Sequence, residues 1–169
     1  MMMTKTGTQT FTVERFTLTT SRAFSDVIGE IDRAVGHPNI PELLRQMEEA
    51  RSAEELERIV GAALGPSGFM EFARYDLGSV LRKDRTSEAR NALRLVLGNP
   101  LIMSEMVRAI PDAGCYAPVT LLIDERDAGV HMTYDQMASL LAPYGDAHAL
   151  QVAQDLDAKV DGLMHMAAG

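Results

Sequence analysis

His131 is the residue of this sequence best placed to do chemistry. It lies in a strand-like run, Val130 to Tyr134, on the face shared with Thr133 and Asp135. A neutral imidazole there could ligate a haem iron or a transition metal, with Asp135 or Tyr134 orienting the ring. The competing reading is a plain strand histidine on the outer face of a sheet, and the scarcity of second ligands favours it. A two-fold dimer could bring the missing partner across its axis. The other histidines offer less: His37 precedes Pro38 in a loop, while His148 opens and His165 ends the last helix, where an imidazolium suits the helix dipole. No pair has the His-x-x-x-His spacing, so a dedicated zinc site within one chain is not expected.

Cys115, the single cysteine, sits in Gly114-Cys115-Tyr116-Ala117-Pro118. A nucleophilic thiol needs a cation or helix N-terminus beside it and a base at contact distance. The sequence offers neither, so an inert, half-buried cysteine is the expectation, with a haem thiolate as the lesser alternative. Arg74 and Asp76 share a strand face with Met70 and Phe72. They are a structural bridge, the more usual arrangement, or the polar anchors of a pocket. Gly98-Asn99-Pro100 stops an apolar run and could present free N–H groups to an anion. Pro100 removes one donor and the motif is no Walker loop, so a turn with Asn99 as cap is the stronger reading.

The elements that must position these groups follow from local pattern. A strand is expected over Thr10–Thr19, then a helix carrying Phe24, Val27, Ile28, Ile31 and Val35, ended by Gly36 with Pro38 beyond. Residues 37–64 form a two-helix insertion. Pro41 suits the first turn of one helix, through Arg51, and Ser52-Ala53-Glu54-Glu55 is a capping box for the next. Phe69–Tyr75 is a strand, Gly78–Ala89 a polar loop with a small basic cluster of Arg82, Lys83 and Arg85, and Ala92–Leu97 another strand. Pro100 opens a short helix with Ile102, Met103, Met106 and Val107 on one face, and Asp112-Ala113-Gly114 is a loop. Pro118–Asp124 and Gly129–Tyr134 make a hairpin around Glu125-Arg126-Asp127-Ala128. A short helix runs from near Asp135 to Pro143, and a last one over Ala147–Ala167 stripes Leu150, Ala153, Leu156, Val160, Leu163, Met164 and Ala167. Residues 1–8 read as a frayed polar tail.

The 169 residues suit one domain spanning the whole chain, large enough to bury roughly 70% of its unfolded surface. Aromatic residues are only 5% and Trp is absent, so aliphatic side chains and 11 Met must fill the core. A formal charge of −8 speaks against nucleic acid and anionic membranes. One cysteine, no apolar signal region and no run of 18 apolar residues point to a cytoplasmic protein.

Phe72-Ala73-Arg74-Tyr75-Asp76, Leu97-Gly98-Asn99-Pro100, Met106, Pro111, Pro118-Val119 and Tyr134-Asp135, in that order, resemble the bacterial family called domain of unknown function 302. The likeness covers roughly Phe11–Gly36 and Gly68–Val160. It implies a TATA-binding-protein-like shape, often dimeric, with no agreed activity and, given the acidic charge, no DNA binding. The expected fold is α+β, a curved antiparallel sheet against a long C-terminal helix in the order β-α-(α-α)-β-β-β-β-α. The expected function is a homodimeric binder of haem or another hydrophobic planar molecule. Its pocket would lie between sheet and last helix, drawing on His131, Arg74, Asp76, Asn99, Met103, Met106 and Tyr134. A redox enzyme using Cys115 or a bound metal, and a structural interaction module, are the alternatives.

Overall fold

Period-two alternation of apolar and polar residues recurs in five segments, and each forms a strand in the computed structural model, which describes residues 7–83 and 90–169. These are β1 (Arg15–Thr20), β2 (Met70–Asp76), β3 (Ala92–Gly98), β4 (Val119–Arg126) and β5 (Gly129–Asp135). In β5, Val130, Met132 and Tyr134 are buried while His131, Thr133 and Asp135 between them are half-buried. The strands pair antiparallel in the order β1-β5-β4-β3-β2. The chain starts on one edge, crosses to the other through helices, and returns as a meander.

The β4–β5 connection is tighter than the sequence predicts. Arg126 pairs with Gly129, leaving a two-residue turn of Asp127 and Ala128. Gly129 takes a φ of 121°, and a Cβ there would lie 2.3 Å from the Thr20 carbonyl oxygen, so both the backbone angle and the space demand glycine.

The helices α1 (Phe24–Ala34), α5 (Pro100–Ala109) and α7 (Ala147–Ala168) cover one face of the sheet. Asp146 caps α7 by accepting from the Ala149 N–H at 2.8 Å. The helix then buries Ala153, Leu156, Val160, Leu163, Met164 and Ala167 in one core with Val27 and Ile31 of α1, Met106 of α5, and Leu121, Ile123 and Met132 of the sheet. Each of the larger side chains contributes roughly 1.5–3 kcal/mol through burial. Core side chains fill most of the space between sheet and last helix, where a pocket was predicted, and an apolar pocket remains beside Val119 of β4 and Leu156 of α7. Leu150, placed in the same stripe, is only half-buried.

The insertion forms α2 (Ile40–Glu49) and α3 (Ala53–Ala63), as its capping chemistry predicts. The Asn39 side chain accepts from the Glu42 N–H and Ser52 from the Glu55 N–H, both at 3.1 Å. Leu43 and Val60 meet Met70 in a second, smaller core. At its base the two ends of the insertion cross in backbone contact: the Gly36 and Gly65 N–H groups both donate to the Phe69 carbonyl at 2.9 Å. A Cβ on Gly36 would lie 2.0 Å from the Ala63 oxygen, and one on Gly65 2.3 Å from the Val35 carbonyl carbon.

Three smaller elements depart from expectation. Where a polar loop is predicted after β2, Asp76 caps a one-turn helix, α4 (Leu77–Leu81), through the Ser79 N–H at 2.7 Å. Pro111–Cys115 is a 3₁₀ helix rather than a loop, and α6 is the short run Met137–Leu141. Of the basic cluster, Arg82 pairs with Asp76 at 3.2 Å, while Arg85, with Asp84 and Glu88, lies outside the described residues, as do residues 1–6 of the polar tail.

Gly36→Ala and Gly65→Ala should each lower stability by roughly 2–4 kcal/mol, read as a shift of the urea midpoint. Gly61, whose Cβ would meet nothing within 4 Å, is the control, and Gly61→Ala should be neutral or slightly stabilising. Equal effects at all three positions would refute the crossing as a constraint.

Candidate functional site

Asn99 anchors an apolar pocket at the start of α5. Its Oδ1 accepts from the Leu101 N–H at 2.9 Å, capping α5, and its Nδ2 donates to the Gly68 carbonyl at 3.1 Å, tying that cap to the turn before β2. The cap reading of Gly98-Asn99-Pro100 therefore describes the geometry, and both polar ends of Asn99 are occupied. Gly98 lets the chain approach closely: a Cβ there would sit 3.0 Å from the Pro118 Cβ and 3.1 Å from the Phe72 ring. Around this loop opens a cavity of about 150 Å³, walled by Leu44 and Met47 of α2, Phe72 of β2, and Ile102, Met103 and Met106 of α5. Its surface is almost wholly apolar. Among the described residues no histidine, cysteine or ionisable group lines it.

Of the site residues predicted from sequence, the fold gathers Asn99, Met103 and Met106 here and scatters the rest. A bulge between Glu71 and Ala73 breaks the alternation of β2, so Arg74 does not share a pocket wall with Phe72. It pairs instead with Asp32 of α1 and, at 2.7 Å, with Glu71, which raises its pKa further. Arg74 is thus the structural bridge, and Asp76 is the cap of α4. Cys115 is exposed, not half-buried. Among the described residues no three His, Cys, Asp or Glu side chains could hold a metal ion, and no helix is long and apolar enough to cross a membrane.

His131 points away from this pocket, on the sheet face that the helices leave uncovered. Its Nδ1 lies 3.2 Å from the Thr19 hydroxyl on the neighbouring strand. The orienting groups expected for it are committed elsewhere: Asp135 holds Arg15 in a bidentate pair at 2.5 and 2.8 Å, and Tyr134 faces the opposite side of the sheet. The His131 Nε2 is shielded from solvent and has no hydrogen-bond partner among the described residues.

The model of the family described as Domain of unknown function DUF302 matches residues 45–167, well over half the chain. The chain belongs to that family. The match begins inside α2 and runs to the end of α7, so it takes in α3 and leaves β1 and α1 outside, a different coverage from the one the motifs suggest. The DUF302 fold is also that of a solved structure described as an uncharacterized conserved protein DUF302 from Bacillus stearothermophilus. The two share 12% identity at a TM-score of 0.63, covering 90% of this chain and 97% of that one. No curated protein matches the chain.

One DUF302 side chain of consequence escapes a reading of the sequence. Asp157, on α7, is buried, and its carboxylate accepts from the Tyr134 hydroxyl at 2.6 Å and from the Met137 and Ala138 N–H groups at 2.8 and 2.9 Å. It caps α6 from another helix and locks sheet, α6 and α7 together. A signal existed: Asp157 stands four residues after the buried Ala153, on the apolar stripe itself. Burial pushes its carboxyl above the usual value of 3.8, against the pull of its three donors. Burial and the nearby carboxylate likewise raise the Tyr134 phenol, which stays a donor. Because the folded carboxyl binds its proton more tightly than the unfolded one, the resulting stabilisation is complete below the unfolded pKa and is lost as pH rises through the folded one. Asp157→Asn, whose NH2 would face an N–H or the phenol, should cost roughly 1–3 kcal/mol. Its deficit relative to the parent should narrow as pH rises in urea melts; a deficit that widens would contradict this account.

Proposed function

We propose that this protein binds a compact apolar molecule, about the size of one aromatic ring, in the pocket at Gly98-Asn99-Pro100. The observation that carries the reading is the match of size to lining: about 150 Å³ of cavity walled by Leu, Ile, Met and Phe. A cavity of that size and character in another protein stays dry and takes up benzene. With Asn99 spent on backbone partners, selection would rest on shape and hydrophobicity, and the flexible Met47, Met103 and Met106 side chains can adapt to the guest.

Haem does not fit these residues. The pocket is smaller than the 300–1,000 Å³ or so typical of sites for larger ligands, it offers no histidine, cysteine or tyrosine ligand among the described residues, and His131 lies on another face. The reading keeps a hydrophobic ligand and abandons the planar macrocycle.

Toluene is the probe. Bound to the native state at roughly a hundred times its Kd, it should stabilise the protein by about 2.7 kcal/mol, visible as a rise in Tm. Met103→Trp, which fills the cavity, should abolish the rise while the variant melts cooperatively. Haem titrated into the parent should give no His131-dependent Soret band. A Tm indifferent to toluene, or a rise that survives in Met103→Trp, would sink the reading.

A further inference from the structure

The sheet face opposite the helices carries a second concavity with different chemistry. One row of side chains crosses all five strands in register: Tyr75, Arg94, Leu122, Thr133 and Thr17. Over Arg94, Leu122 and Thr133 of this row and the adjoining Thr120 lies an open pocket of about 430 Å³, lined also by Leu77 of α4 and Leu140 of α6. That volume falls within the range of ordinary small-molecule sites.

The charge in it is uneven. Arg15 and Arg94 contribute two positive charges and Asp135 one negative, and Arg15 and Asp135 already satisfy each other in a bidentate pair. One unpaired positive charge is left, on Arg94. Among the described residues it has no carboxylate partner; it lies 5.9 Å from the Tyr75 ring centroid and approaches the Thr120 hydroxyl at 3.4 Å. In a chain of net charge −8, whose arginines are mostly held by acids, an unclaimed guanidinium in a concave site is a recognition feature. The surroundings add the other half. Four of the exposed large hydrophobic residues, Tyr75, Leu77, Val80 and Leu81, fall in one short stretch beside the pocket.

We propose that this face binds an amphipathic monocarboxylate, its carboxylate on the Arg94 guanidinium and its apolar body along Leu122, Leu77 and Leu140. A single unpaired cation matches a singly charged head better than a phosphate dianion, and the planar fork of arginine fits a carboxylate with two parallel hydrogen bonds. The site is separate from the apolar pocket at Asn99 and does not depend on the reading given for it.

Octanoate, with 1-octanol as its uncharged counterpart, tests the assignment by calorimetric titration of the full chain. Octanoate should bind, octanol at least tenfold more weakly, and added salt should weaken only the former. Arg94→Gln should reduce octanoate affinity tenfold or more with an unchanged melting curve, since the side chain is exposed; Arg94→Lys should retain part of it. Met103→Trp should leave octanoate binding intact. Octanoate affinity equal to that of octanol, or unchanged in Arg94→Gln, would overturn the proposal. Loss of binding in Met103→Trp would move the ligand to the other pocket. A dimer in sedimentation that Leu122→Glu dissociates and octanoate does not displace would give the face to a second copy of the chain instead.

Discussion

A β-strand sends successive side chains to opposite faces, and this chain lays helices on only one of them. That single constraint governs the molecule. On the covered side the alternate residues of β1, β3, β4 and β5 are Leu, Ile, Val, Met, Phe and Tyr, packed with α1, α5 and α7 into the main core. On the other side the intervening positions hold Thr17, Thr19, Arg94, Thr120, Thr133 and Asp135, which a sheet facing water requires. A one-residue slip would exchange the two sets, burying Arg94 and Asp135 and exposing Leu95 and Tyr134, so the pairing register is strongly fixed. His131 belongs to the second set by parity alone. Its neighbours Thr19 and Asp124 follow from the register as well.

Two devices hold the remaining elements to this sheet, and they differ in kind. The insertion is attached through backbone, by glycines that let Gly36 and Gly65 cross and share the Phe69 carbonyl. The segment before α7 is attached through one side chain, the Asp157 carboxylate that caps α6 while holding the buried Tyr134 hydroxyl. A carboxylate in that position has to be fully hydrogen-bonded to be tolerated, and it is. Edge protection follows from the same arrangement: β2 carries a bulge and the Arg74 ion pairs and is bridged at its start to Gly36, which together blunt it as a template for further pairing.

Features written in local chemistry were legible in the sequence. Pro41 and Ser52 announce helix starts, and the alternation of Val119–Ile123 and Val130–Tyr134 announces the hairpin, because capping and pleat depend on residues a few positions apart. The candidate site was legible only in part. Asn99, Met103 and Met106 lie on one loop and one helix, so their proximity is local. Leu44 and Met47 reach the same cavity only through the fold of the insertion, which places α2 and α5 on two sides of it, a consequence of contacts across thirty or more positions that no periodicity records. Leu44 left one trace: it is half-exposed beside the buried Leu43, an apolar residue outside its helix's buried stripe. Arg74 misled for the opposite reason, since one bulge residue reverses every parity argument downstream of it. His131 misled because its chemistry was read without its partner, and Thr19 is more than a hundred residues away.

The placement of the apolar pocket follows from how the two cores meet. The main core closes round α7, and the smaller one closes round Leu43, Val60 and Met70; Phe72 and Leu101 pack against the latter and Ile102 against the former. Each core is dense by itself, but the line between them joins a helix pair fixed by glycine backbone to a helix fixed by an asparagine cap. Rigid elements positioned by separate anchors do not relax to fill the gap left between them, so an open apolar pocket persists there with little polar surface on its walls. An apolar void costs the fold the dispersion contacts its walls lack, on the order of a few kcal/mol for a cavity of this class. A guest of matching shape restores those contacts without asking for a single hydrogen bond. At this seam, binding of such a guest and stability of the fold would draw on the same missing interactions.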